Sequence, residues 1–276
     1  MCSASLRRLV LCTGLVLLPI SLPFSAWSQV KQSVYLEELT TQEVNVLLKN
    51  SPSIVIIPVG GTEQNGPHMA IGKHNVRVKV LAGRIAAQLG NAIVAPVVTY
   101  TPEGNISPPT EHMKFSGTIS ISEDAFKNLL LSAARSFKQH GFTDIVLLGD
   151  HGGYQSALAA VEQTFNREAG KSPVRMHYIA DYYRATQTSY VAALRAKGLS
   201  DFEIGTHAGS ADTSLLLAID ATMVKPEKFA EAAKVGKPGG TLGDPRASTA
   251  ALGQLGTEAV VKITVQTIKK AIEKVR

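Results

Sequence analysis

The chain has 276 residues, 45% of them hydrophobic and 18% charged, and a formal net charge of +6 at pH 7. That length suits one large α/β domain with a substantial core. The basic residues form no run or stripe, which leaves nucleic-acid binding without support.

The first 28 residues read as a secretory signal, with an uncleaved N-terminal anchor as the alternative. Arg7 and Arg8 supply a positive start, residues 9–18 an apolar run, and Pro19 and Pro23 break it before Ala26 and Ser28 place small residues at −3 and −1. The run is too short and wrongly flanked for a membrane span. Both cysteines, Cys2 and Cys12, lie in this segment. A mature chain over 29–276 therefore has no thiol for a disulfide, a zinc–thiolate site or a cysteine nucleophile. Its charge falls to +4, since Arg7 and Arg8 are lost from 28 basic residues while all 22 acidic ones stay. The expectation is export to the periplasm or beyond, with no stable membrane insertion after cleavage.

Along the mature chain, Thr41 is a candidate cap for a helix carrying Val44, Leu47 and Leu48. Residues 53–58 form a continuous apolar run rich in β-branched side chains, as expected of a central parallel strand covered on both faces. A loop then carries Glu63, Asn65, His68 and His74, punctuated by Gly60, Gly61, Gly66, Pro67 and Gly72. A helix from about Asn75 puts Val76, Val80, Ile85 and Leu89 on one side and stops at Gly90. Residues 92–96 are the next strand. The long loop 99–116 is rich in Pro and Gly and carries Glu103, Glu111 and His112; loops of such length are usually functional or disordered.

A short strand is expected at 118–121, then a helix at 125–140 capped by Ser122 and closed by His140 as a cationic cap. The buried strand 144–149 runs into Asp150, His151, Gly152 and Gly153. A helix at 156–169 and a strand at 174–179 follow, with His177 packed or hydrogen-bonded in that strand. A helix runs from about Tyr183 to Lys197. Residues 205–214 open an apolar segment at 215–219, a Gly-rich stretch fills 236–257, and a helix at 257–274 closes the chain. This β-loop-α succession has no linker, so residues 29–276 read as one domain, a largely parallel sheet with helices on both faces.

Two of the loops at 60–74, 150–155 and 205–214 follow strands directly, so both open at the same sheet edge, where ligands bind in such folds. Singly, each residue has a plain reading. His68 braces its loop after Pro67, Asp150 caps a helix, and Asp212 sits in a first turn. Together Glu63, His74, His151 and Asp212 offer the nitrogen and oxygen donors of a divalent metal site suited to zinc, manganese or iron.

Five ordered blocks, 61–68, 116–120, 149–153, 207–214 and 243–245, resemble the creatininase (creatinine amidohydrolase) family over about residues 35–265. The resemblance implies a three-layer α/β/α sandwich with a mostly parallel sheet, a two-metal site, and metal-dependent hydrolysis of non-peptide or unusual amide C–N bonds. It also implies a homo-oligomer, often a hexamer. Glu63 and His151 match family ligands, and His207 a proton-transfer group. Asn65 stands where the family has a metal-binding His, and His74 where it has an Asp that bridges both metals. Gly153 and Asp212 stand where members carry Glu.

A neutral imidazole offers one lone pair to one metal, so His74 cannot bridge as a carboxylate does. The expected centre is therefore Glu63, His74 and His151 around one zinc-like ion, with manganese or iron as alternatives and a second ion as the other count. Asp212 would be a further ligand or the base, and His207 the proton carrier to the leaving nitrogen. Backbone N–H groups at Gly152 and Gly153 would stabilise an oxyanion, with Asn65, His68 and Asp150 around them and Glu111 and His112 in a pocket wall or lid. The expected substrate is a small molecule with an amide bond. A fold-retaining binder of a small solute or metal, and a lactone or ester hydrolase, are the competing readings.

Overall fold

In the computed structural model the residues described are Met1, 33–50 and 54–275, so the signal segment expected over residues 1–28 lies outside the described residues apart from Met1. Four strands, β1 (Ile54–Val59), β2 (Ala92–Val94), β3 (Asp144–Gly149) and β4 (Arg175–Tyr178), make one sheet in the order β2-β1-β3-β4. Every pairing is parallel, and β1 and β3 run in register from Ile54 opposite Asp144 to Val59 opposite Gly149. Both central strands are buried along their whole length, which is why their sequence is continuously apolar.

Successive strand residues point to opposite faces, and that alternation sorts the core into two halves. Val55, Ile57, Ile145 and Leu147 pack with α3 (Glu123–Gln139) and α4 (Gln155–Ala169), through Phe126, Leu130, Leu158 and Phe165. The helix α1 (Thr41–Asn50) adds Val44, Leu47 and Leu48 to this face. Ile54, Ile56, Val146 and Leu148 pack instead with α2 (Lys73–Leu89), α5 (Ala180–Gln187) and the long α10 (Ala250–Val275). Each fully buried Ile, Leu or Phe contributes roughly 1.5–3 kcal/mol over its exposed state. The result is a three-layer α/β/α sandwich.

Several local expectations change. Thr40, rather than Thr41, caps α1, accepting from the Glu43 N–H at 3.3 Å while the Glu43 carboxylate accepts from the Thr40 N–H at 2.7 Å. α2 begins at Lys73, bringing Lys73 and His74 into its first turn. Residues 118–121 form no strand; only isolated bridges, Thr62 with Ile119 and Thr101 with Ser120, tie them to their neighbours. The helix expected over 183–197 breaks at Thr188 into α5 and α6 (Ser189–Ala196). Short helices α7 (Asp201–Ile204) and α9 (Phe229–Val235) flank α8 (Ser210–Ile219), and α10 begins seven residues before the expected start. Ser122 caps α3 as expected, and His177 is buried with Nε2 2.9 Å from Asp144 Oδ1. Among the described residues no helix is long and apolar enough to cross a membrane.

Candidate metal centre

The carboxyl ends of β1 and β3 lie side by side, so the loops that leave them deliver Glu63 and His151 to one point. Tyr154, wholly buried, locks the two exits together: its hydroxyl donates to the Val59 carbonyl at 2.9 Å and accepts from the His151 N–H at 3.0 Å. The loop after β2 supplies Glu103, held by Thr101 Oγ1 at 2.7 Å and by its own N–H donating to Ser120 Oγ at 3.0 Å. Gly61 makes room for it, since a Cβ there would stand 2.6 Å from Glu103 Oε1. Further along the same loop, the turn Glu111–Lys114 carries His112, whose Nδ1 sits 3.2 Å from the Gln64 amide, turning Nε2 to within 3.0 Å of Glu63 Oε2.

Glu63, Glu103, His112 and His151 each present one ligand atom, and these atoms all lie within 4.8 Å of one another. Glu63 Oε2 and Glu103 Oε2 are buried and accept no hydrogen bond. A buried carboxylate oxygen without a donor is costly unless a cation faces it. Burial and the neighbouring Glu63 push the Glu103 carboxyl up to about 7. Burial lowers His151 to about 3, so its ring is neutral near pH 7 and keeps a lone pair. Two hard oxygens and two imidazoles are a donor set for zinc, manganese or iron. The residues therefore fit a divalent ion.

Of the residues expected as ligands, Glu63 and His151 belong to this group, and His74 and Asp212 do not. His74 Nε2 lies 2.8 Å from Glu63 Oε1 and Nδ1 lies 2.6 Å from Asp150 Oδ1. Arg77 Nη2 also lies 3.2 Å from Nδ1, so both ring nitrogens are already partnered within the chain, and the two carboxylates favour a positive charge on the ring. Burial and Lys73 oppose that charge, but Glu63 and Asp150 outweigh them and raise the His74 pKa. Asp212 Oδ2 accepts from Lys73 Nζ and the Ala208 N–H, both at 3.1 Å, and Oδ1 from Arg77 at 2.9 Å. Its oxygens are already supplied with donors by the chain.

The remaining expected residues divide by place. Asp150 is an anchor rather than a helix cap: it accepts from Arg77 Nε at 2.7 Å and the Tyr182 hydroxyl at 2.7 Å besides His74. Asn65 braces its own loop, donating to the Glu63 and Ala70 carbonyls at 2.9 and 3.3 Å. His68 is buried away from the four donors, 2.9 Å from Thr213 Oγ1 and edge-on to Phe229. Gly152 and Gly153 open the turn before α4, but the Gly153 N–H points back at His151 Nδ1, 3.4 Å away. Glu111 is exposed on a groove of about 780 Å³ that reaches His112, His207, Phe115 and Lys237. His207 Nε2 has the Gln64 carbonyl at 3.0 Å and the Gln64 side-chain amide nitrogen at 3.2 Å, and Nδ1 lies 3.7 Å from Glu63 Oε1. Burial and Lys73 lower its pKa to about 4.

The sequence pattern places His112 only in a wall and marks no role for Glu103, Lys73 or Arg77. One signal was available for Glu103: it is an acidic residue in the long Pro- and Gly-rich loop that follows a strand.

Residues 37–268 match the sequence profile of creatinine amidohydrolase. The chain belongs to the creatininase family. Among curated relatives, the mycofactocin precursor peptide peptidase of Mycolicibacterium smegmatis is 30% identical over 225 residues, 73% of this chain and 78% of that protein. The creatinine amidohydrolase of Pseudomonas putida is 24% identical over 208 residues, with the same coverage of 73% and 78%. A crystal structure of creatinine amidohydrolase matches with a TM-score of 0.74 at 22% identity, covering 88% of this chain and 99% of that one, which establishes the shared fold. Other creatininase structures are described as a manganese form and a Zn-Zn type. Creatininase-family relatives are hydrolases.

Proposed function

We propose that this chain is an exported, metal-dependent hydrolase that cleaves an amide C–N bond in a small substrate. The observation that carries the reading is the pair of buried, donorless oxygens, Glu63 Oε2 and Glu103 Oε2, converging with His112 and His151. The manganese and zinc forms of related structures support a divalent ion there. When bound, such an ion polarises a carbonyl and lowers the pKa of water near it.

The chain's own residues divide the remaining tasks. Glu63 is fixed from several sides, with His74 on Oε1 and His112 and His151 near Oε2, so its position is set before any ligand arrives. His207 is neutral at pH 7, and it borders both the groove of about 780 Å³ and a smaller polar cavity. That placement suits delivery of a proton to a leaving amine. Burial of the carboxylates excludes bulk water and strengthens each electrostatic contact.

Export rests on residues 1–28 of the sequence. A peptide bond is the second reading, favoured by the 30% identity to a peptidase and by the size of the groove.

The test is turnover of a panel of cyclic amides, linear amides, short peptides, lactones and esters, with and without added zinc or manganese. Metal-dependent amide cleavage that Glu63→Ala and His151→Ala abolish supports the proposal. His207→Gln is expected to lower kcat roughly 10²–10⁴-fold while leaving metal content unchanged. Full activity in the Glu63 or His151 variant, or turnover confined to esters, would sink it.

A further inference from the structure

Beside the four donors lies a second group of charges that the proposed reaction does not use. Lys73 and Arg77 are four residues apart on α2, so both reach the same side of the helix. Both are nearly fully buried, at 1% and 3% exposure. Lys73 Nζ lies 3.1 Å from Asp212 Oδ2 and 3.6 Å from Glu63 Oε1. Arg77 spans from Asp212 Oδ1 at 2.9 Å to Asp150 Oδ1 at 2.6 Å. A lysine ammonium held between two carboxylates supplies the positive charge that a metal ion would otherwise bring to them.

We propose that Lys73 is the site's built-in second cation, so that the chain binds one divalent ion where some creatininase structures carry two. The inference rests on the reading that Glu63, Glu103, His112 and His151 hold a divalent ion. Two independent features carry it. The first is geometric: the carboxylate oxygens facing Lys73, Asp212 Oδ2 and Glu63 Oε1, already have other hydrogen-bond partners in the chain, whereas Glu63 Oε2 and Glu103 Oε2, which have none, belong to the other group.

The second is the placement of the basic side chains. Arg77 spans Asp150 and Asp212 while Lys73 lies between Asp212 and Glu63, so a second divalent ion on this side would sit beside two basic groups in a buried site.

The experiment is a metal count on the purified chain by elemental analysis and calorimetric titration, with zinc and with manganese. The variants are Lys73→Met, which keeps the length and loses the charge, and Lys73→Arg, which keeps the charge. The wild type and Lys73→Arg are expected to take one equivalent, and Lys73→Met to take a second, weaker one through the released Glu63 and Asp212 oxygens. A purely structural lysine would change stability in the methionine variant without changing the count. Two tightly held ions in the wild type, or an unchanged count of one in a folded Lys73→Met, would overturn the inference. If Lys73→Met does not fold, the wild-type count alone still decides. A wild-type chain that takes up no ion removes the metal reading itself and this inference with it, whereas two ions with intact hydrolysis refute this inference alone.

Discussion

Asp150→Asn is the substitution on which the charge arrangement can be tested most directly. Asp150 is 2% exposed and accepts from His74 Nδ1 at 2.6 Å, Arg77 Nε at 2.7 Å and the Tyr182 hydroxyl at 2.7 Å. Asparagine has the same shape, so its oxygen can still face Arg77 and His74 while the Tyr182 hydroxyl rotates to accept from its NH₂. What is lost is the charge. Arg77 keeps its charge, so its bond to the asparagine oxygen stays charge-assisted, and what is removed is the opposite charge of a buried pair. Breaking such a pair costs ~3–5 kcal/mol, and Asp212 still neutralises Arg77, which keeps the cost near the lower end of that range.

The assay is urea unfolding of both proteins with chelator present, so that metal binding does not contribute. Burial pushes the Asp150 pKa up, but Arg77 and His74 outweigh it and hold the carboxyl below its ordinary value. A depressed carboxyl contributes its stability above the unfolded pKa and loses it as pH falls through the folded one. The gap of about 3 kcal/mol should therefore persist from pH 7 to 5 and narrow only below about 4, the ordinary carboxylate value. A gap under about 1 kcal/mol at pH 7, or one already gone by pH 6, would refute the account of Asp150 as the charged anchor of His74 and Arg77.

Metal binding should carry a proton signature from Glu103, whose carboxyl stands at about 7 in the metal-free chain. Below pH 7 a divalent ion must displace that proton, so affinity should rise by about tenfold per pH unit up to about 7 and then flatten. Titration at pH 6 in two buffers of different ionisation enthalpy should report about one proton released, and Glu103→Gln none; no release from the wild type would count against Glu103 as a ligand. Because this pKa is raised, the metal-free fold holds more protons than the unfolded chain between about 4.5 and 7, and this group's contribution to stability declines across that window. Gly253→Ala should cost about 1–3 kcal/mol, since its Cβ would overlap the Ser214 carbonyl oxygen where α10 crosses α8. A thermal melt unchanged by that methyl would show that α8 moves aside freely.

The sequence alone carried the architecture. The uninterrupted apolar runs at 54–57 and 145–148 declare strands covered on both sides, because a half-exposed strand would alternate with polar residues. The glycines and polar residues placed just after those runs mark the sheet edge where chemistry belongs, and they put Glu63 and His151 there. Which other side chains join them was decided only in three dimensions.

Glu103 and His112 arrive because one loop folds back over the ends of β1 and β3, and nothing in its local composition fixes that path. His74 has the donor atoms of a metal ligand in the sequence. The tertiary structure gives both nitrogens to Glu63 and to Asp150, which is 76 positions away. Lys73 reaches Asp212 across 139 positions in the same way. Secondary structure follows from local pattern, which the sequence displays directly. The protonation and ligand capacity of a buried side chain depend on the charges packed around it, and those are brought together only by the fold.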